Sequence, residues 1–243
     1  MRIVLTALVW LAMLTSGSLA QNDTELQLWA DYHHHFYLNP TWEFYGDTGF
    51  RTVTEDWDWQ KLYARPSLRY HAEHVPLEGR GGLGLFYTHN DGLADEGELR
   101  PWAGAFVKWP SIGVLTFTSY FRLEGRFMWY SDDRDVDSGL RFRYKLGTKI
   151  PFTKVAKLAY FYAPLSFEWF EDVGPAVDEV FAAQFRFDVG AGYVFGREWV
   201  GELHLIVQRT RSTPSQPFET DDYILRLTIK RLWSTHDYMS QEA

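Results

Sequence analysis

Apolar and charged residues alternate one by one along most of this chain. Leu140, Phe142, Tyr144 and Leu146 interleave with Arg141, Arg143 and Lys145. Strand side chains point to opposite faces with a period of two, so this segment predicts a strand with one apolar and one charged face. The same alternation predicts strands near 24–38, 41–51, 57–72, 80–90, 98–109, 112–129, 138–150, 157–170, 180–195, 198–210 and 221–233. No 3.6-residue stripe is long enough to predict a helix. A soluble sheet buries its apolar face and wets its polar one. A transmembrane barrel does the reverse, with apolar side chains toward lipid and charged ones toward the lumen.

The connecting segments sharpen this reading. Asn39-Pro40, Pro110-Ser111 and Gly196-Arg197 read as tight turns, and 52–56, 91–97, 130–137, 171–179 and 211–220 read as longer polar loops. Short periplasmic turns and long outer loops are the habit of outer-membrane barrels. Aromatic residues gather at the strand ends. Phe36, Trp42, Tyr70, Trp109, Phe195, Trp199 and Trp233 fall at one end, and Phe50, Tyr87, Trp129, Trp169 and Tyr223 at the other. Two such rings are what interfacial girdles require. The expected fold class is all-β, a single antiparallel transmembrane β-barrel of 10–12 strands. Eleven segments conflict with the even number usual in such barrels, so twelve strands are expected, with ten as the alternative.

Residues 1–20 carry Arg2, an apolar run from Ile3 to Leu14, and Ser18-Leu19-Ala20 before Gln21. This is the pattern of a cleaved secretory signal. The run is shorter than the ~20 residues of a spanning helix. The expected organisation is a signal peptide over 1–20 and one barrel domain over 21–243. Its strands run from about 24 to 233, and a short tail follows over 234–243. Removing the signal takes the formal net charge from −8 to −9. An acidic balance gives no support for nucleic-acid binding. The chain has no Cys, which excludes disulfides, thiolate chemistry and Cys-ligated metals. The expected location is the bacterial outer membrane, with its lipid and the barrel-assembly machinery as partners.

The inward parity collects Glu43, Arg51, Lys61, Tyr63, Arg65, Arg69, Glu98, Arg100, Arg122, Glu124, Arg126, Arg141, Arg143, Lys145, Glu168, Gln184, Arg186, Asp188, Glu202, His204, Arg226 and Lys230. Arg outnumbers Lys, which suits bidentate pairing with carboxylates in a crowded interior. The candidate lumen cluster is Arg65, Arg69, Glu98, Arg100, Arg122, Glu124, Arg126, Arg141, Arg143, Glu168 and Arg186. Three readings stay open: the charges pair and fill the lumen, surplus Arg forms a positive constriction for anionic solutes, or the cluster is a site for a lipid or ligand head group.

Asp31, His33 and His35 share the inward face of one strand, about 6.5 Å apart per step. Two imidazoles and a carboxylate suit Zn²⁺, Cu²⁺ or Ni²⁺, but no converging ligands from other strands are identifiable. No metal site and no cofactor is assigned. A lipid hydrolase would need a Ser within hydrogen-bond reach of a His. Ser67, Ser119 and Ser166 are the candidate hydroxyls, and His71, His89 and His204 the candidate bases. Ser67 and His71 share a strand face but stand about 13 Å apart. No nucleophile elbow, phosphate-cradling loop or HExxH helix appears, and no catalytic residue is assigned.

Trp29, Arg51, Arg65-Pro66 with Tyr70, Glu98 with Arg100, the run Tyr120 to Arg126, and Arg141-Phe142-Arg143-Tyr144 follow one another in order. Glu168, Arg186 and Gly192-Tyr193 follow in the later strands. In this order and spacing the chain resembles a family of bacterial outer-membrane barrels catalogued as a domain of unknown function. The resemblance implies a fold and a location, and no activity. One departure is the stretch Ser234 to Ala243 after Trp233, where such barrels often end on an aromatic residue. The function expected first is a narrow passive channel for small hydrophilic solutes. A sealed structural or envelope-interaction barrel is the alternative, and a lipid-modifying enzyme comes third.

Overall fold

The structure, a computed structural model, describes residues 24–55, 57–152, 160–173, 183–196, 198–211 and 218–234. Its elements are β1 (Glu25–Tyr37), β2 (Trp42–Val53), β3 (Trp59–His71), β4 (Leu77–Asn90), β5 (Glu96–Lys108), β6 (Thr116–Tyr130), β7 (Val136–Pro151), β8 (Phe161–Val173), β9 (Ala183–Phe195), β10 (Trp199–Arg211) and β11 (Glu219–Ser234). Each overlaps one strand predicted from the alternation.

The strands form one closed barrel in sequence order. Every neighbouring pair is antiparallel except β1 and β11, which pair in parallel. Among the described residues the closed barrel has eleven strands, where twelve were expected. An odd number closes without loss of backbone pairing because a parallel ladder can also join two edges. Its consequence is that Glu25 and Ser234 lie at opposite ends of the barrel.

Three polar contacts fix the register of the parallel seam. Arg226 Nε donates to Asp31 at 2.5 Å, Gln27 Nε2 donates to Asp222 at 2.6 Å, and Thr24 Oγ1 donates to the Thr220 carbonyl at 3.2 Å. A one-residue slip would turn the inward Gln27, Asp31, Asp222 and Arg226 outward.

The expected contrast between short and long connections is not found. One end carries 38–41, 72–76, 109–115, 152–160 and 196–198, and the other carries 54–58, 91–95, 131–135, 174–182 and 212–218. Lengths are similar at both ends. Asp and Pro mark where strands stop without setting how far the chain runs before the next. Composition does differ. The second end carries Glu55, Asp58, Asp91, Asp95, Asp132, Asp133 and Asp135 among its described residues.

The interior and exterior are inverted relative to a water-soluble protein. Among the described residues, nineteen buried side chains are polar or charged and eight are hydrophobic. Leu62, Leu85, Leu123, Leu203 and Leu227 are about half exposed on the outer face, as the parity required. The aromatic ends are also present: Trp42, Tyr70, Trp109, Phe195 and Trp233 at one, Tyr87, Trp129, Trp169 and Tyr223 at the other. Residues 1–20, expected to be a signal peptide, Arg197 and the tail beyond Ser234 lie outside the described residues.

Candidate functional site

The lumen is built from carboxylates that each hold two or more donors. On β5, Glu98 accepts from Arg100 Nε at 2.6 Å and from Arg126 Nε of β6 at 2.6 Å. On β6, Glu124 accepts from Arg122 Nη2 at 2.6 Å and from Arg141 Nε of β7 at 2.5 Å. On β8, Glu168 accepts from Arg143 Nε at 2.7 Å and lies 3.7 Å from Arg186 of β9. The charges thus run around the wall from strand to strand, Glu98 and Glu124 each bridging its own strand and a neighbour and Glu168 bridging the strands on either side of it. Glu98 and Glu124 are each 1% exposed, so pairing replaces the water they have lost.

The opposite wall repeats the arrangement. Asp47 pairs with Arg65, whose Nε lies at 2.9 Å. Asp31 holds Arg226 and also accepts from Tyr63 Oη at 2.5 Å. Gly49 makes room for this: a Cβ there would fall on the Asp31 carboxylate and within 2.6 Å of the Tyr63 ring. Toward the 38–41 end, Glu43 meets His35 Nδ1 at 2.7 Å, His71 Nε2 at 3.1 Å and Arg69 Nη1 at 3.3 Å. Glu202 accepts from Lys230 at 2.6 Å and Tyr162 at 2.5 Å. His204 lies between Asp188 at 2.6 Å and Glu202 at 3.1 Å.

Between these walls lies a cavity of about 300 Å³. It is lined by eleven Arg or Lys side chains and five Asp or Glu side chains. Adding Asp31, Asp47 and Glu98, which pair with lining Arg residues from behind, brings the carboxylates to eight and leaves cations in excess. Of the predicted cluster, Arg65, Arg100, Arg122, Glu124, Arg126, Arg141, Arg143, Glu168 and Arg186 line the cavity. Glu98 stands behind Arg100 and Arg126. Arg69 is apart from it, stacked 3.6 Å over Tyr45 and bound to Glu43.

Aromatic residues on the inward face complete the site. Arg51 lies 3.9 Å over Trp29, Arg100 lies 4.0 Å over Phe86, and Arg122 lies 4.2 Å over Trp102. Arg141, Arg143 and Arg186 all lie about Phe170, at 5.2, 5.2 and 4.8 Å. Stacking covers guanidinium faces and leaves their N–H edges for anionic groups, which for Arg100, Arg122, Arg141 and Arg143 are Glu98, Glu124 and Glu168. The alternation assigned nothing to Phe86, Trp102 and Phe170, and Trp29 entered only through the family pattern, so their role was missed. Asp47 and Asp222 were missed as well, although the parity of Glu43 and Arg226 points to them.

Asp31, His33 and His35 share the inward face, but each is engaged elsewhere. Asp31 holds Arg226, His33 Nδ1 meets Tyr45 Oη at 3.1 Å, and His35 meets Glu43. Among the described residues no group of three His, Asp or Glu side chains is arranged to hold a metal. The Ser and His candidates do not meet in the described hydrogen bonds. Ser67 Oγ donates to the Tyr45 carbonyl at 3.0 Å, and Ser119 faces outward beneath Trp109. Ser166 lines the cavity. His71 meets Glu43, His89 meets Asp95, and His204 meets Asp188.

No curated protein matches the sequence. Among solved structures, the anion-selective porin from Comamonas acidovorans is similar at 15% identity with a TM-score of 0.34. The match covers 77% of this chain and 54% of the porin chain, so the chain spans about half of the porin's length. Over residues 26–219 the sequence matches the family described as a protein of unknown function, DUF2490, and the chain belongs to that family.

Proposed function

We propose that this chain is an outer-membrane barrel that passes small hydrophilic anions through a narrow lumen. The observation that carries the reading is the cavity wall, with eleven cationic side chains against eight carboxylates once Asp31, Asp47 and Glu98 are counted. A low-dielectric wall of one sign focuses the field and raises the local concentration of the opposite ion. The location rests on the apolar outer face and the two aromatic ends. Strands of 12 to 16 residues also exceed the ~9–11 that a tilted strand needs to cross a bilayer. Closure removes the open edges that lipid cannot satisfy. In this reading the barrel-assembly machinery inserts the chain.

A second reading, a sealed barrel, is favoured by the near-complete burial of Glu43, Glu98 and Glu124. An eleven-strand interior is only slightly wider than the eight-strand case, which side chains fill. The cavity holds the volume of about ten water molecules. Planar-bilayer recording of the refolded protein separates the two. Steady, salt-dependent current supports the channel. Silence at every voltage from a sample with heat-modifiable migration supports the sealed barrel.

A further inference from the structure

We infer that the lumen cavity is a binding site for a compact, multiply charged oxyanion of the phosphate class, centred on Arg51 and Arg186. The inference rests on the same lumen as the proposed channel and names the chemistry of its solute. Both guanidiniums stack on one indole, Trp29, at 3.9 and 5.1 Å, and both line the cavity. Two cations on one ring repel each other, and an anion held between them would offset that repulsion.

Among the described residues neither guanidinium is hydrogen-bonded to a carboxylate. Among the described residues no carboxylate lies within ion-pair distance of Arg51, and its buried Nε has no hydrogen-bond partner. Arg186 donates to Gln208 at 2.7 Å and Gln184 at 3.1 Å, both neutral. Its ion pair with Glu168 Oε2 is long, at 3.7 Å, and Arg143 holds the other oxygen of that carboxylate at 2.7 Å. Lys61 and Lys145 line the same cavity without an ion pair among the described residues.

The chemistry of the ligand follows from the donors. A guanidinium edge offers parallel N–H groups that match two oxygens of a phosphate or carboxylate. Several cations around a small space favour a multivalent ion over chloride. A volume near 300 Å³ is at the lower end for ligand pockets, which suits inorganic phosphate or a small phosphate monoester. The phosphate can come from a free solute or a lipid headgroup, and a lumen walled off from the outer face by the strands favours the free solute.

The test is calorimetric titration of the folded barrel with inorganic phosphate, with chloride at equal ionic strength as the control. Saturable phosphate binding is expected, weakened roughly tenfold or more by Arg51→Gln and by Arg186→Gln, since each removes a charged hydrogen-bond donor. Lys145→Gln serves as a second variant should either Arg substitution prevent folding, and it should weaken binding in the same direction. Absence of saturable binding by the folded wild type overturns the inference. So does binding unchanged in all three variants, or binding of phosphatidylglycerol micelles without binding of inorganic phosphate. Bilayer current is a separate readout. A silent barrel that binds phosphate defeats the channel and leaves the site, whereas current without phosphate binding defeats the site and leaves the channel.

Discussion

Asp31 on the first strand accepts from Arg226 on the last, 2.5 Å away, and this ion pair crosses the parallel seam that closes the barrel. The carboxylate has no exposed surface, so either partner alone would be a buried, uncompensated charge. Asp31→Asn is expected to destabilise the folded barrel by about 3–5 kcal/mol, the range for breaking a buried pair. The double variant Asp31→Asn, Arg226→Gln should recover part of that loss. Urea unfolding in detergent micelles, read as a double-mutant cycle, measures both. Additive effects would mean that the pair does not couple the two strands.

Arg122 and Arg143 are direct cross-strand partners. Like charges in that relation destabilise a sheet. They are held apart by different carboxylates, Arg122 by Glu124 and Arg143 by Glu168. Glu124 also holds Arg141. Glu124→Gln therefore leaves two guanidiniums without their counter-charge, whereas Arg141→Gln leaves Glu124 with Arg122. The first should cost about 3–5 kcal/mol and the second clearly less. Equal losses in unfolding experiments would show that Glu124 does not bridge the two.

The outer face makes a distinct prediction. Leu85 points outward from the middle of β4, and Leu93 is exposed on the 91–95 connection. In a membrane-embedded barrel Leu85→Arg should cost about 2–4 kcal/mol and Leu93→Arg about 0–1. A soluble barrel would tolerate both alike. Unfolding midpoints in lipid vesicles check the difference.

At the acidic end, Asp95 accepts from Tyr87 Oη at 2.6 Å and meets His89 Nδ1 at 2.7 Å. The hydrogen bond from Tyr87, followed by that from His89, holds the Asp95 carboxyl below its ordinary pKa of 3.8. A carboxylate with a lowered folded-state pKa favours the ordered loop above its ordinary pKa, and that contribution is lost as pH falls through the lowered value. Protease cleavage at 91–95 should rise as pH falls below about 4, and Asp95→Asn should cleave alike on both sides of that range. A wild-type loop with no pH dependence would contradict this.

Much of the fold was legible because a period of two is a strong signal when one face is apolar and the other charged. Leu140 to Leu146 predicted a strand and its two faces, which the structure shows as part of β7. The count was harder to read, since alternation carries no information about how the last strand meets the first. The pairing of Asp31 with Arg226 spans nearly the whole chain and leaves no local mark. Inward aromatics were illegible for another reason. Trp29, Phe86 and Phe170 sit on the charged face, where a hydrophobicity pattern has no place for them, and only the stacked guanidiniums give them a role. Loop lengths misled because Asp, Pro and Gly announce a turn without measuring it.

The most direct test of the cationic lumen is the reversal potential of the refolded barrel in a planar bilayer under a KCl gradient. The account predicts a potential displaced toward the chloride equilibrium value, with the displacement reduced by Arg186→Gln. A folded barrel whose current prefers potassium, or whose preference is unchanged by that substitution, would contradict it.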